Sequence, residues 1–398
     1  MGAANGSIST QRFNFFDQCF DLYPVYRETE FSLLQGGHIK FNFLDMVSSI
    51  KKYTILTALI SVSFLFPFCG KESGTTLPPI STAKTFINPL VNGADPWVFK
   101  KDGFYYYSQT VGNRVALWRT TAVSKLGSIT STEIFKAPAG AANAENVWAP
   151  EIHFLDGKWY VYYTAGAGPD ETQRTWVLEN SNADPLAGSW LSKGRIFTTD
   201  SDFWAIDGTV LEYNGNKYFI WSGRPNPAVQ NQNIYIAKMV NPWTLESPAV
   251  MISNPSLSWE INGGPVNEAP QILKNNSGKV FLFFSASGCW TDDYALGMLT
   301  LNDGGNPLVL ADWVKKQQPV FTKNPVGNAY GPGHNAFFKS PDGTEDWMIY
   351  HANTSTGQGC GGNRNVRIQK FTWNTDGTPN LGMPLQTGVN INVPAGEQ

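Results

Sequence analysis

The chain has 398 residues, a formal net charge of −3 and 15% charged residues, against about 25% in average soluble proteins. It contains no basic stripe, no GxxxxGK[ST] loop and no CxxC pair, so nucleic acid, nucleotide phosphates and zinc are not indicated as ligands. Aromatic residues make up 14%, which suits an exported protein with a binding surface.

The first 85 residues differ in character from the rest. From Met46 the chain reads MVSSIKK, then the apolar run YTILTALISVSFLFPF, then CGKESG, which is typical of a secretion signal. Cys69 resembles the acceptor of a bacterial lipoprotein signal, with simple cleavage and a membrane anchor as alternatives. We predict a signal at 46–69, a flexible tether at 70–85 and an upstream extension at 1–45, and a periplasmic, cell-surface or secreted protein.

Residues 86–398 repeat one phrase five times, at intervals of about 60 residues. Each copy is a polar-glycine turn that opens an aromatic run, which is how a short hairpin is encoded. The copies are DGFYYYSQT from Asp102, DGKWYVYYTAG from Asp156, NGNKYFIWSG from Asn214, NSGKVFLFFSAS from Asn276 and DGTEDWMIYHAN from Asp342. Repeats of this length, with several short strands each, predict an all-β fold, a five-bladed β-propeller.

An apolar strand precedes each turn and begins at a small or polar segment. Asp95 and Asp207 each lie eight residues before their turn glycine, Glu268 lies ten before and His334 nine before, while the second copy has Ala149 at this place. The innermost strands of a propeller begin near its axis, so these side chains are predicted to meet in one central pocket. Asp-Pro and Asp-Gly are also ordinary turn pairs, but turns alone do not explain the shared offset.

Three carboxyl groups in one pocket suit glycoside cleavage. One protonated carboxyl donates to the leaving oxygen, and one carboxylate activates water or attacks the sugar. A third carboxylate nearby raises the pKa of the acid by charge repulsion and desolvation.

Five phrases together resemble glycoside hydrolase family 43, over roughly residues 86–398. They are ADPWV from Ala94, VWAPEIH from Val147, DGTV from Asp207, NEAPQIL from Asn267 and GPGHNAFF from Gly331. Within the family, SGCWTDDYALGM from Ser287 and EDWMIYHA from Glu345 are most similar to α-L-arabinofuranosidases. One departure is Ala-Pro after Glu268, where many members have Gly-Pro.

The resemblance implies an inverting hydrolase. It implies that Asp95 is the general base, Glu268 the general acid and Asp207 the residue that tunes and orients the acid. His334 matches an axial histidine that helps to hold a calcium ion or its waters in the central channel, so a structural calcium is expected, with no cofactor needed for the chemistry. A hydrogen-bonded turn histidine is the alternative for His334.

Two further residues are predicted to bind substrate. Trp148 is a candidate aromatic wall for a furanose ring, with a core position as the alternative. Arg364 and Arg367 have odd separation, so on a regular strand only one of them faces the pocket, and we favour Arg364. Cys289 and Cys360 are predicted either to pair near the pocket rim or to remain free buried thiols.

The expected function is removal of α-L-arabinofuranosyl residues from arabinan or arabinoxylan by a monomeric enzyme. The alternatives within the family are β-xylosidase and endo-1,5-α-L-arabinanase. A non-catalytic carbohydrate-binding propeller is a remote alternative, because Asp95, Asp207 and Glu268 are all present. The expected partner is a plant cell-wall polysaccharide or oligosaccharide, and membrane attachment through a lipid on Cys69 is expected.

Overall fold

The computed structural model describes residues 84–226 and 228–398. The predicted extension, the signal with Cys69 and nearly all of the tether lie outside these residues. Within the described ranges, no helix is both long and apolar enough to span a membrane.

In the described residues, five antiparallel sheets form the blades of a ring, and the first three strands of each follow one another in chain order from the inner edge outward. The first sheet has β3 to β6, at Ala94–Lys101, Phe104–Thr110, Val115–Thr120 and Thr132–Phe135. The second has β7 to β10, at Glu145–Leu155, Lys158–Gly166, Arg174–Asn180 and Leu191–Arg195. The third has β11 to β15, at Trp204–Tyr213, Asn216–Arg224, Asn233–Asn241, Thr244–Leu245 and Val250–Ser253.

The last two sheets complete the ring. The fourth has β16 to β19, at Asn267–Lys274, Val280–Ala286, Ala295–Leu301 and Trp313–Lys315. The fifth has β20 to β23, at Tyr330–Lys339, Asp346–Asn353, Asn365–Trp373 and Pro379–Asn380. Short 3-10 helices connect strands at Val123–Ser128, Asp170–Thr172, Ser258–Glu260 and Leu310–Asp312.

The two ends of the described chain close the ring. β2 (Val91–Asn92) comes from the N-terminal side but pairs with β22 of the fifth sheet. β1 (Thr85–Ile87) pairs with β24 (Asn390–Asn392). Because these pairings join the first described strands to the last ones, the predicted five-bladed β-propeller is confirmed as a closed ring.

The core lies between neighbouring blades. The aromatic strand β4 shows how its sequence serves two interfaces, since Tyr105 and Tyr107 pack against the fifth blade and Tyr106 packs against the second. This alternation is the period of two that a strand imposes. Five such apolar clusters fill the five interfaces, so each blade buries both of its faces against its neighbours.

The predicted turns occur between the first two strands of each blade. In the first three blades the loop is two residues long, and both residues have positive φ, as for Asp102 (52°) and Gly103 (80°). This is the geometry of a type I′ turn, which matches the twist of the flanking strands. The fourth and fifth blades have longer turns, in which the repeat glycines Gly278 and Gly343 also have positive φ.

Candidate active site

The five inner strands all begin with the same backbone irregularity. Each has a register shift against its partner strand, and a non-glycine residue lies in the left-handed region at that point. These residues are Asp95 (φ 59°), Ala149 (43°), Asp207 (55°), Ala269 (50°) and His334 (45°). Glu268 therefore lies one residue before the position that Asp95 and Asp207 occupy, which refines the shared offset seen in the sequence.

This strained backbone is held by the neighbouring blade. The N–H of Ala149 donates to Thr110 Oγ1 (2.9 Å) and that of Asp207 to Thr164 Oγ1 (3.1 Å), each on the second strand of the preceding blade. The N–H of Asp95 donates in the same way to His351 Nδ1 (3.0 Å). Left-handed non-glycine residues cost energy and persist where surrounding contacts fix them, and here the contacts run around the ring.

The fourth blade differs in the group that accepts this backbone N–H, which is the carboxylate of Asp207. The N–H of Ala269 donates to Asp207 Oδ2 at 3.0 Å, and not to a hydroxyl of the strand that follows Asp207. The Asp207 carboxyl therefore fixes the backbone immediately after Glu268. Asp207 is thus linked to Glu268 through the Ala269 backbone.

One cavity of about 370 Å³ brings the predicted site residues together, and all five blades contribute to its wall. The lining side chains are Asp95, Thr110, Trp148, Asp170, Trp204, Ile206, Asp207, Arg224, Gln230, Gln232, Glu268, Cys289, Trp290, His334, Cys360 and Arg364. All six predicted site residues are in this set. The size is within the range of small-molecule pockets.

Asp95 is surrounded by groups that favour its ionised form. Arg364 Nη1 lies 3.0 Å from Oδ1, His334 Nδ1 lies 3.3 Å from the same oxygen, and Thr110 Oγ1 donates to Oδ2 at 2.7 Å. Burial acts to raise the pKa of Asp95, but Arg364, then the two histidines, then Thr110 outweigh it and hold that pKa well below its usual range. Burial also lowers the pKa of His334 and His351, so near neutral pH Arg364 is the main cation.

His351 has a fixed role in this cluster. Its Nδ1 accepts the Asp95 N–H, so that nitrogen carries the lone pair and cannot also donate to Asp95 Oδ1, 3.5 Å away. The imidazole is fully buried and stacks on the ring of Tyr294, with centroids 5.9 Å apart and planes 7° apart. His351 therefore anchors the Asp95 backbone.

Glu268 has the opposite electrostatic environment from Asp95. Burial, with a contribution from the charge of Asp95, raises the pKa of Glu268 to about 7, although the hydrogen bond from Tyr294 and the charge of Arg364 act to lower it. The Tyr294 hydroxyl donates to Glu268 Oε1 at 2.8 Å. A carboxyl with this pKa is largely protonated in mildly acidic solution, as a general acid must be.

Asp207 and Glu268 titrate as a pair. The pKa of Asp207 is raised well above its usual range, first by burial, then by the charge of Glu268 and then by that of Asp95. Charge repulsion between two carboxyls is mutual, so the pair keeps a proton to higher pH than either group would alone. Of the two causes expected from the sequence, desolvation is thus the first for the raised Glu268 pKa, and the charge of Asp95 adds to it.

The side walls contain both predicted and unexpected residues. Trp148 lies one position before the left-handed Ala149, so in the second blade it occupies the position that Glu268 has in the fourth. Its half-buried side chain lines the cavity. Arg364 is in the cavity wall, whereas Arg367 is fully buried and donates to the carbonyls of Asn328 and Asn353. The cavity wall therefore contains Arg364, the arginine that the sequence favoured, and not Arg367.

A second arginine lies in the cavity wall and was not predicted from the sequence. Arg224 is 4% exposed, its guanidinium lies 4.4 Å above the Trp204 ring, and it forms an ion pair with Asp170. Its partners are on different strands and loops, so no local pattern identifies it. Tyr294 and His351 were missed for the same reason.

Cys289 and Cys360 form a disulfide at the cavity rim, which decides between the two alternatives. It joins the loop after β17 to the loop after β21.

The predicted calcium is not matched by a cage of protein ligands. Calcium prefers six to eight oxygen ligands, and residues 84–226 and 228–398 contain no group of three or more His, Cys, Asp or Glu side chains placed to hold one ion. His334 Nδ1 instead lies beside Asp95. Calcium therefore remains a prediction, and no step of the chemistry proposed below depends on it.

Comparison with known proteins agrees with this geometry. The model of Glycosyl hydrolases family 43 matches residues 86–379. An "Extracellular exo-alpha-(1->5)-L-arabinofuranosidase" of Streptomyces avermitilis is 44% identical, over 78% of this chain and 66% of that protein. "Alpha-L-arabinofuranosidase 43" of Humicola insolens is 38% identical, over 85% of this chain and 69% of that protein. The chain thus spans about two thirds of the length of these relatives.

A solved structure is similar over nearly its whole length. The crystal structure of an α-L-arabinofuranosidase from Lactobacillus brevis has a TM-score of 0.71 and 36% identity, and the match covers 76% of this chain and 98% of that one. The family match, these identities and the five-bladed ring agree with one another. The chain belongs to glycosyl hydrolase family 43.

Proposed function

We propose that the protein is an exo-acting, inverting α-L-arabinofuranosidase that removes arabinofuranosyl residues from arabinan or from arabinoxylan side chains. The observation that carries the proposal is the pairing, in one pocket, of an ionised Asp95 with a Glu268 whose pKa is raised to about 7. Relatives at 36–44% identity that are named arabinofuranosidases support the sugar and the mode of action.

Asp95 acts as the general base. Its carboxylate accepts a proton from a water molecule, whose oxygen attacks the anomeric carbon from the face opposite to the leaving group. Arg364 keeps the carboxylate ionised and Thr110 orients it through Oδ2. Because Arg364 also lines the pocket, it is placed to donate to sugar hydroxyls.

Glu268 acts as the general acid. It donates its proton to the glycosidic oxygen as the bond to the anomeric carbon breaks, so the leaving sugar departs as a neutral alcohol. Asp207 orients Glu268 through the Ala269 N–H, and the charges of the two carboxyls repel each other. Trp148 supplies an aromatic wall for the furanose ring.

The pH dependence follows from these two groups. The active form needs Asp95 ionised and Glu268 protonated. The low pKa of Asp95 leaves the base ionised in mildly acidic solution, and Glu268 loses its proton near pH 7. The enzyme should therefore be most active below pH 7.

We also propose that the protein is exported, as a lipoprotein anchored through Cys69, and acts as a monomer on plant cell-wall material. The disulfide Cys289–Cys360 suits an oxidising compartment. The Streptomyces avermitilis relative is named as extracellular. Radiolabelled palmitate incorporated into the wild-type chain and lost in Cys69→Ser would support the anchor.

A substrate panel tests the activity. Nitrophenyl α-L-arabinofuranoside, nitrophenyl β-D-xyloside and linear arabinan should be incubated with the enzyme, and the product sizes should be read by chromatography. The proposal predicts free arabinose as the main product from arabinan and from the arabinofuranoside. Rapid cleavage of the xyloside alone would indicate a β-xylosidase, and early release of arabino-oligosaccharides would indicate an endo-arabinanase.

A further inference from the structure

Trp290 lies at the mouth of the pocket and has no part in the chemistry described above. Its side chain is 48% exposed, whereas Trp204 in the same wall is 4% exposed. An exposed tryptophan loses the benefit of burying a large apolar surface. Its position beside the catalytic pocket therefore calls for a physical reason.

The indole of Trp290 packs against the backbone of three glycines. A Cβ on Gly288 would lie 2.3 Å from the indole Cε2, one on Gly263 would lie 2.7 Å from Nε1, and one on Gly264 would lie 3.2 Å from Cζ2. Any larger residue at Gly288 would push the ring away. The glycines thus contact one part of the indole closely, and the rest of the ring surface is exposed to solvent.

The loop that carries Trp290 is fixed on its other side as well. The adjacent Cys289 is bonded to Cys360, and the Asp292 carboxylate accepts hydrogen bonds from Thr356 Oγ1 and from the N–H of Gly357 (2.9 Å). The loops after β17 and after β21 therefore form one lobe. A side chain held in this way loses little conformational entropy when it binds a ligand.

The lobe lies on the side of the general acid. The loop from Ser287 that contains Trp290 ends at Tyr294, whose hydroxyl donates to Glu268 Oε1. The acid protonates the oxygen that joins the cleaved sugar to the rest of the substrate. Trp290 extends to the pocket mouth from the loop that contacts the acid through Tyr294, on the side where the leaving part of the substrate must lie.

We propose that the exposed surface of Trp290 is the binding platform for the leaving group of the substrate, the next pentose of an arabino-oligosaccharide. The C–H groups on one face of a pentose ring are apolar and pack on an aromatic face, and tryptophan provides a large, rigid contact area. This inference rests on the proposed function and adds to it the residue that selects oligosaccharides over substrates with small leaving groups.

The test compares two substrates in one set of variants. Wild type, Trp290→Ala and Gly288→Ala are assayed on α-1,5-linked arabinotriose and on α-L-arabinofuranosyl fluoride, whose leaving group is a single atom. Phe104→Ala is the control, since Phe104 is an exposed aromatic (38%) at the turn between β3 and β4, at the opposite end of these strands from Asp95.

In Trp290→Ala, kcat/KM for arabinotriose should fall at least tenfold, mainly through KM, and this loss should exceed the loss on the fluoride at least tenfold. Gly288→Ala keeps the indole but displaces it, so it should give the same selective loss even if Trp290→Ala folds poorly. Phe104→Ala should match wild type on both substrates.

Equal losses on the two substrates, or a kcat/KM for arabinotriose within twofold of wild type, would overturn the platform while leaving the proposed function in place. A wild-type enzyme that releases arabinose from neither substrate would overturn both.

Discussion

Removing the hydroxyl of Tyr294 should raise the pKa of Glu268, the proposed general acid. That hydroxyl donates to Glu268 Oε1 at 2.8 Å, a contact that favours the ionised carboxylate. Hydrogen bonds to charged groups contribute about 1.5 to 3 kcal/mol, and one pKa unit corresponds to about 1.4 kcal/mol. Tyr294→Phe should therefore raise the Glu268 pKa by about one unit, the lower end of that range, because water replaces part of the lost contact.

The consequence is measurable in the alkaline limb of kcat/KM. With the wild-type pKa of about 7, about 9% of Glu268 is protonated at pH 8, and a pKa one unit higher makes that about 50%. The pKa of Tyr294 itself is raised well above its usual range by burial and by the charge of Glu268. Tyrosine ionisation therefore does not enter the profile, and the limb should move to higher pH.

The assay is the kcat/KM profile of arabinotriose hydrolysis between about pH 4 and pH 10. Tyr350→Phe is the matched control, because Tyr350 is also fully buried and its hydroxyl bonds to Gln369 Oε1 (3.0 Å). This control should lose stability but keep the wild-type limb. An alkaline limb in Tyr294→Phe that stays in place or moves to lower pH would refute the reasoning.

Three other predictions concern the acid, its neighbour and the rim. Glu268→Gln should lower kcat/KM on arabinotriose by about 10²- to 10⁴-fold but retain more rate on the arabinofuranosyl fluoride, and equal losses would argue against an acid role. Asp207→Asn should lower kcat, since the Ala269 N–H loses its carboxylate acceptor, and should move the alkaline limb to lower pH; a limb that stays in place would mean that Asp207 is protonated in the active enzyme. Replacing both Cys289 and Cys360 by Ser should lower the free energy of unfolding by up to about 4 kcal/mol in denaturant titrations, from a closed loop of 71 residues, and unchanged stability would mean that the loops are held without the bond.

Much of the fold was readable because it is encoded locally. Turn pairs such as Asp102-Gly103 adopt the positive φ that a two-residue hairpin requires, and the aromatic runs after them alternate between two interfaces. Asp95 and Asp207 share one offset from their turn glycines because the same irregular backbone recurs in every blade. Glu268 lies one position earlier and still lines the same cavity, because the offset varies by two residues between blades.

Residues whose role depends on a neighbouring blade were not readable. Tyr294 contacts Glu268 from the loop between β17 and β18, and His351 of β21 accepts the N–H of Asp95, 256 residues earlier in the chain. Neither contact leaves a trace in local spacing. The disulfide remained undecided for the same reason, because spacing does not report the distance between two loops.

The central claim is direct displacement by water with Asp95 as base and Glu268 as acid, and the stereochemistry of the product tests it most directly. Proton NMR of an α-L-arabinofuranoside with wild-type enzyme, recorded before the product mutarotates, identifies the first-formed anomer. The account predicts β-L-arabinofuranose, which is the inverted product. First-formed α-L-arabinofuranose would mean retention through a covalent intermediate and would contradict the assignment of Asp95 as the base.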